Sequence, residues 1–208
     1  MPRALNIMYL CLIPMTRPNS IDLATASAEL DGWTVLIEKD DDIVSRAGSN
    51  VVRERLLDQA LLLDPTLIRY MDDDDILLSH LSTIRDAFAS DPTLDIVYTK
   101  CIINGITETI LSGDPIKDAS VLFPWSWVAR TSALIRVKEL TGYVWNPNKH
   151  CRQGGWCWYN FLQCNLNIKY IPIVSYNWQR NSPGSHVSKH SDFWVENKLL
   201  LTALKQIK

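Results

Sequence analysis

One stretch constrains this chain more than any other: Tyr70-Met71-Asp72-Asp73-Asp74-Asp75-Ile76. The apolar residues Leu61-Leu62-Leu63 and Leu67-Ile68-Arg69-Tyr70-Met71 lead into four consecutive carboxylates, and Leu77-Leu78 follows them. This is the pattern of a buried strand whose end carries charge. Four adjacent anions repel one another, and a folded chain tolerates them where solvent, a cation or a helix N-terminus neutralises the site. Mg²⁺ or Mn²⁺ suits such a place, because these hard ions prefer oxygen ligands and take one or two carboxylates together with substrate phosphates. A solvated loop or a helix cap is the plainer reading of an acidic run. The apolar lead-in sets this run apart.

The chain has 208 residues, 47% hydrophobic and 21% charged, enough for one well-cored domain. A net charge of -2 offers no bulk attraction to nucleic acid or an anionic membrane. Cysteines stand at 11, 101, 151, 157 and 164, without a C-x-x-C pair or zinc-type spacing. They read as reduced, mostly buried thiols of a cytoplasmic protein. Arg3 and the apolar run from Ala4 to Met15 imitate a secretory signal, but Asn6 interrupts it and Pro14-Met15-Thr16-Arg17-Pro18-Asn19-Ser20 brings in polar turn chemistry. No run reaches the roughly 18 apolar residues of a membrane span, so no stable membrane insertion is expected.

In chain order, Leu5 to Ile13 reads as a buried strand ended by proline, Ile21 to Leu30 as a helix capped by Asn19 or Ser20, and Trp33 to Ile37 as a second strand. Glu38-Lys39-Asp40-Asp41-Asp42 then forms another acidic strand end. A helix from about Asn50 to Leu62 follows a loop with Gly48, and Leu67 to Met71 is the third strand. Alternating strands and helices suggest βαβ units and a parallel sheet, with both acidic ends on one ligand-binding edge. Beyond them come a helix over Leu81 to Ala89, a strand over Leu94 to Ile103 turning at Asn104-Gly105 into Ile106 to Leu111, helices over Ser132 to Leu140 and Trp156 to Cys164, a strand over Ile168 to Val174, and a closing helix over Asp192 to Ile207. Seven of the eight tryptophans lie after residue 120, a density that suits either a core or a stacking platform.

Taken in order, these motifs resemble the GT-A glycosyltransferases of the family 2 type, which use nucleotide-diphosphate sugars, over about Leu5 to His186. The resemblance implies an α/β, Rossmann-like single domain over 1–208, with a mostly parallel sheet flanked by helices. The nucleotide-sugar half would cover about 1–100 and a smaller acceptor-side half about 101–208. Pro14-Met15-Thr16-Arg17-Pro18 resembles the family's proline-threonine turn, which puts Thr16 and Arg17 at the nucleotide. Glu38 or Asp40 matches the acid that contacts the base, Arg53 matches an arginine near the nucleotide, and Asp72-Asp73-Asp74-Asp75 is similar to the D-x-D-D signature. Asp72 and Asp73 are thereby implied at the nucleotide sugar, and Asp72, Asp74 and His186 at Mn²⁺ or Mg²⁺. Leu122-Phe123-Pro124-Trp125 to Leu134 resembles the acceptor-side segment, and Tyr176 to His186 the family's tyrosine, arginine and proline-glycine-serine tail. The implied donor is a UDP-sugar. No motif encodes the acceptor, and a large or polymeric one, a glycan, protein or modified DNA base, is expected over Trp125, Trp127 and Trp156.

One departure matters. Inverting members carry a glutamate-aspartate pair before an aromatic helix, and its aspartate is the general base. Here Gln153-Gly154-Gly155-Trp156 stands in that place, and glycine cannot abstract a proton. A base from elsewhere, with His150 as the candidate, a retaining mechanism, or loss of catalysis would each account for it. A nucleotidyltransferase is a competing reading, although Pro14 to Pro18 lacks the glycine-rich phosphate loop it needs. The other is a non-catalytic sugar- or nucleotide-binding domain of the same fold.

Overall fold

The computed structural model describes residues 7–15, 21–39, 49–119, 126–148, 153–179 and 193–207. Its first half is built as strand β1 (Tyr9–Met15), helix α1 (Ile21–Leu30), β2 (Thr34–Lys39), α2 (Ser49–Leu62) and β3 (Leu67–Tyr70). A short β4 (Ile76–Leu77), α3 (Leu81–Ser90), β5 (Ile96–Ile103) and β6 (Thr107–Glu108) follow. The chain continues through α4 (Pro115–Asp118), β7 (Trp127–Arg130), α5 (Thr131–Thr141), α6 (Gln153–Gln163), β8 (Ile168–Trp178) and α7 (Phe193–Leu204).

The order across the sheet is β2-β1-β3-β7-β5-β8-β4, with β6 paired to β5. β1 is parallel to β2 and β3, β7 is antiparallel to both β3 and β5, β8 is parallel to β5, and β4 is antiparallel to β8. Five strands of that path (β1, β2, β3, β5 and β8) therefore run the same way, and β7 and β4 oppose them. The carboxyl ends of β2, β1 and β3 share one edge, which is where the two acidic strand ends emerge.

Burial explains the central strands. The five middle residues of β1, Leu10 to Pro14, are buried, as expected of a strand covered on both faces. The proline expected to end it instead lies within it, paired with Glu38, and β1 runs on to Met15. Near a strand end the missing N–H costs little of the ladder. In α1 the small residues Ala24 and Ala28, one turn apart, face the core. Gly32 ends that helix at φ 94, a conformation that favours glycine. The strand expected over Ile106 to Leu111 shrinks to the exposed pair Thr107–Glu108, whereas β8 extends four residues past Val174 to Trp178. Two register shifts against β5, between Thr99 and Cys101, accompany that extension and precede Tyr176. Bulges of this kind re-aim side chains near sites.

The tryptophans serve the core first. Trp127, Trp145 and Trp158 are fully buried. Trp127 meets Tyr70 edge-on at 5.6 Å, Phe161 edge-on at 5.0 Å and the Trp145 ring at 6.3 Å. With its ring enclosed in this way, the acceptor-platform expectation does not extend to Trp127. Cys11, Cys101 and Cys157 are buried free thiols and Cys164 is half-buried, while Cys151 lies outside the described residues. Burial pushes Cys11 and Cys101 up to about 12, which keeps both protonated and unreactive. Among the described residues no helix is long and apolar enough to cross a membrane.

Candidate functional site

The acidic run leaves β3 as a tight turn, closed by the Asp75 N–H donating to the Asp72 carbonyl at 3.2 Å. The turn gathers the carboxylates: one oxygen each from Asp72, Asp74 and Asp75 lies within 4.8 Å of the others. Asp73 is buried and stands outside that group. Asp75 is fully buried and accepts from the Tyr176 hydroxyl and, at 2.7 Å, from the Gln179 N–H. Burial, and then the negative charge of Asp72, raise Asp75 well above the usual carboxylate range, against the pull of those two hydrogen bonds. Tyr176 is likewise pushed up by burial and by the carboxylates beside it. An all-oxygen set in which anions crowd one another is the donor chemistry that Mg²⁺ or Mn²⁺ takes, so the residues present fit a hard divalent cation.

Arg53, from α2, approaches the same turn. Its Nη2 donates to Asp72 Oδ1 at 3.1 Å, and the guanidinium packs over the Trp145 ring at 5.1 Å. Tyr70, the last residue of β3, donates from its hydroxyl to the Arg53 carbonyl at 2.9 Å, tying the helix to the strand. Burial lowers the Arg53 pKa and the Asp72 charge counters it. Removing one partner of such a pair leaves a buried charge uncompensated, which is the costly case.

Glu38 closes β2 on the same edge, one strand beyond β1 from Asp72. Both its oxygens are engaged by α2, by Arg55 Nε at 2.9 Å and by Gln59 Nε2 at 2.8 Å. Thr16 and Arg17, which follow β1, lie outside the described residues, as do Asp40, Trp125, His150 and His186. Of the expected site residues, the structure thus brings Asp72, Asp74 and Arg53 together and sets Glu38 on their edge. Asp75 joins them: as the fourth acid of the run it was visible in the sequence, but its burial and its tyrosine partner were not.

In the second half of the chain, Gly154 and Gly155 form the first turn of α6 and are buried. A Cβ built on Gly155 would come within 2.3 Å of Leu200 Cδ2, from α7. The space beside Gly155 is therefore filled by α7 packed against it. Trp156, next in α6, is half-buried and meets Tyr159 edge-on at 5.7 Å. Glycine-to-alanine changes inside helices ordinarily stabilise by about 1 kcal/mol. Gly155→Ala is expected to do the opposite, because overpacking a filled core costs about 1–3 kcal/mol. A lower urea midpoint would show it, and an unchanged or higher one would mean that Leu200 yields freely.

No protein-family model and no curated protein matches this sequence. Solved structures do. Staphylococcus aureus TarS 1–349 in complex with UDP-GlcNAc is similar over 97% of this chain and 68% of that one, with a TM-score of 0.71 at 13% identity. The UDP complex of the same TarS fragment matches over 96% and 71%, with a TM-score of 0.67 at 12% identity. The longer TarS chain is covered over only 43% of its length. A197 from STIV matches over 88% of this chain and 100% of that one, with a TM-score of 0.52 at 12% identity. The chain has the GT-A fold that TarS displays, a mixed α/β arrangement of one curled sheet between helices.

Proposed function

We propose that this chain, as a single domain, is a metal-dependent glycosyltransferase that takes a sugar from a nucleotide-diphosphate donor, a UDP-sugar in the first instance, to a hydroxyl acceptor. The observation that carries the proposal is the convergence of Asp72, Asp74 and Asp75 within 4.8 Å at the end of β3, with Arg53 bonded to Asp72. It stands on the sheet edge where open α/β sheets bind ligands. The fold shared with TarS, whose solved structures carry UDP-GlcNAc and UDP, supports the choice of donor.

Asp72 and Asp74 would hold Mn²⁺ or Mg²⁺, with His186 as the further ligand the resemblance implies. When bound, such an ion neutralises charge on the diphosphate leaving group. Asp72 and Glu38 or Asp40 hold ribose and base, Arg53 keeps Asp72 in place, and Thr16 and Arg17 line the nucleotide, whereas the burial of Asp73 takes it out of that set. Trp125 and Trp156 are the remaining platform candidates, and they orient the acceptor so that its hydroxyl meets the sugar as an intramolecular partner. In an inverting reaction His150 accepts the hydroxyl proton as the acceptor oxygen attacks. In a retaining reaction no base is required at that place.

The close packing of Leu200 on Gly155 gives a second reading its footing, that of a donor-binding domain without transfer. The deciding experiment offers a panel of UDP-sugars with Mn²⁺ or Mg²⁺, alone and with glycan, protein or hydroxymethylated DNA acceptors. Release of UDP that requires the metal is the expected result. UDP binding without turnover supports the non-catalytic reading, and neither binding nor turnover sinks both.

A further inference from the structure

The acidic turn is connected to a distant loop by a route that the proposed chemistry does not use. Arg53 Nη2 donates to Asp72 Oδ1 at 3.1 Å, Arg53 Nη1 donates to Asn50 Oδ1 at 3.2 Å, and Asn50 Nδ2 donates to the Asn146 carbonyl at 2.7 Å. Asn50 is 2% exposed and Arg53 4%. A primary amide has an acceptor end and a donor end, and here each end is committed to a different partner. The guanidinium is a planar fork, so fixing two of its N–H groups fixes its plane.

The anchor at the far end is itself rigid. Glu54, beside Arg53 on α2, accepts from the Val144 N–H at 2.7 Å and also from the Trp145 N–H. Asn160, from α6, donates to the Val144 carbonyl at 3.1 Å. Lys138 of α5 reaches Glu54 at 3.2 Å and steadies its carboxylate. Side chains from α2 and α6 therefore hold the backbone from Val144 to Asn146, and the fully buried Trp145 presents its ring to the guanidinium.

We propose that Asn50 is a positioning residue of the donor site: braced on the Asn146 carbonyl, it sets the plane of the Arg53 fork and so the angle at which Asp72 meets a nucleotide. This role rests on the donor-binding reading above. In this role Asn50 acts through Arg53, which separates it from a residue that merely supports the fold.

The test is a double-mutant cycle on UDP affinity, measured by calorimetry in saturating Mn²⁺ for the wild-type chain, Asn50→Ala, Arg53→Lys and the double variant. Outer-shell partners of this kind typically carry 10–100-fold in affinity. Asn50→Ala is expected to weaken UDP about tenfold in the wild-type background and less than about twofold in the Arg53→Lys background. An equal loss in both backgrounds overturns the proposal. Should Asn50→Ala fail to fold, Asn50→Ser replaces it in the same cycle. If the wild-type chain binds no UDP, the donor reading fails and this role falls with it, an outcome distinct from equal losses in the two backgrounds, which overturn the role alone.

Discussion

Asp74→Ala is expected to weaken Mn²⁺-supported UDP binding by about 100-fold or more, since a metal ligand should carry at least what its outer-shell partners do. The same substitution should leave the urea midpoint of the metal-free protein unchanged or raise it. Asp74 contributes an oxygen to a group of three carboxyl groups within 4.8 Å, and taking a negative charge out of that crowded group removes an unfavourable term. Calorimetry with UDP and Mn²⁺ beside urea unfolding reads both halves. An Asp74→Ala chain that unfolds, or that binds metal and nucleotide as the wild type does, would remove the cluster from the donor site.

Trp127→Ala is expected to cost about 3–5 kcal/mol of stability, the usual range for deleting a large aromatic from a filled core. Tyr70, Trp145 and Phe161 surround the indole, so its loss opens a cavity that none of them can fill by a rotamer change alone. Set against a typical domain stability of about 5–15 kcal/mol, the variant would retain only a fraction of its folded population on heating. Urea unfolding checks this. A Trp127→Ala protein with wild-type stability but lost acceptor use would return the indole to the acceptor platform.

Features built from neighbouring residues were readable in the sequence. α1 spans Ile21–Leu30 as expected, because its apolar spacing, first-turn Asp22 and terminal Gly32 are all local signals. The acidic strand end was equally plain. β7 was missed because Trp127-Val128-Ala129-Arg130 runs straight into α5 without a turn residue, and its reversed direction is set by pairing with β3 and β5, far away in sequence. β4 is two residues long and becomes a strand only by pairing with the end of β8. Likewise Asn50, near the start of a helix, resembles any polar residue there. Its meaning depends on a carbonyl 96 positions later. Trp127 misled for a related reason: composition counts aromatic rings but does not say which of them the sheet encloses.

The contact between Gly155 and Leu200 bears on how this chain can change. Installing a carboxylate at 155 requires space that Leu200 occupies, while shortening residue 200 with glycine still at 155 leaves a void in the joint between α6 and α7. Each single step lowers stability, and only the paired exchange keeps the joint filled. The two positions are thus coupled: an acidic residue at 155 fits only together with a smaller residue at 200, and either change alone gives a less stable chain.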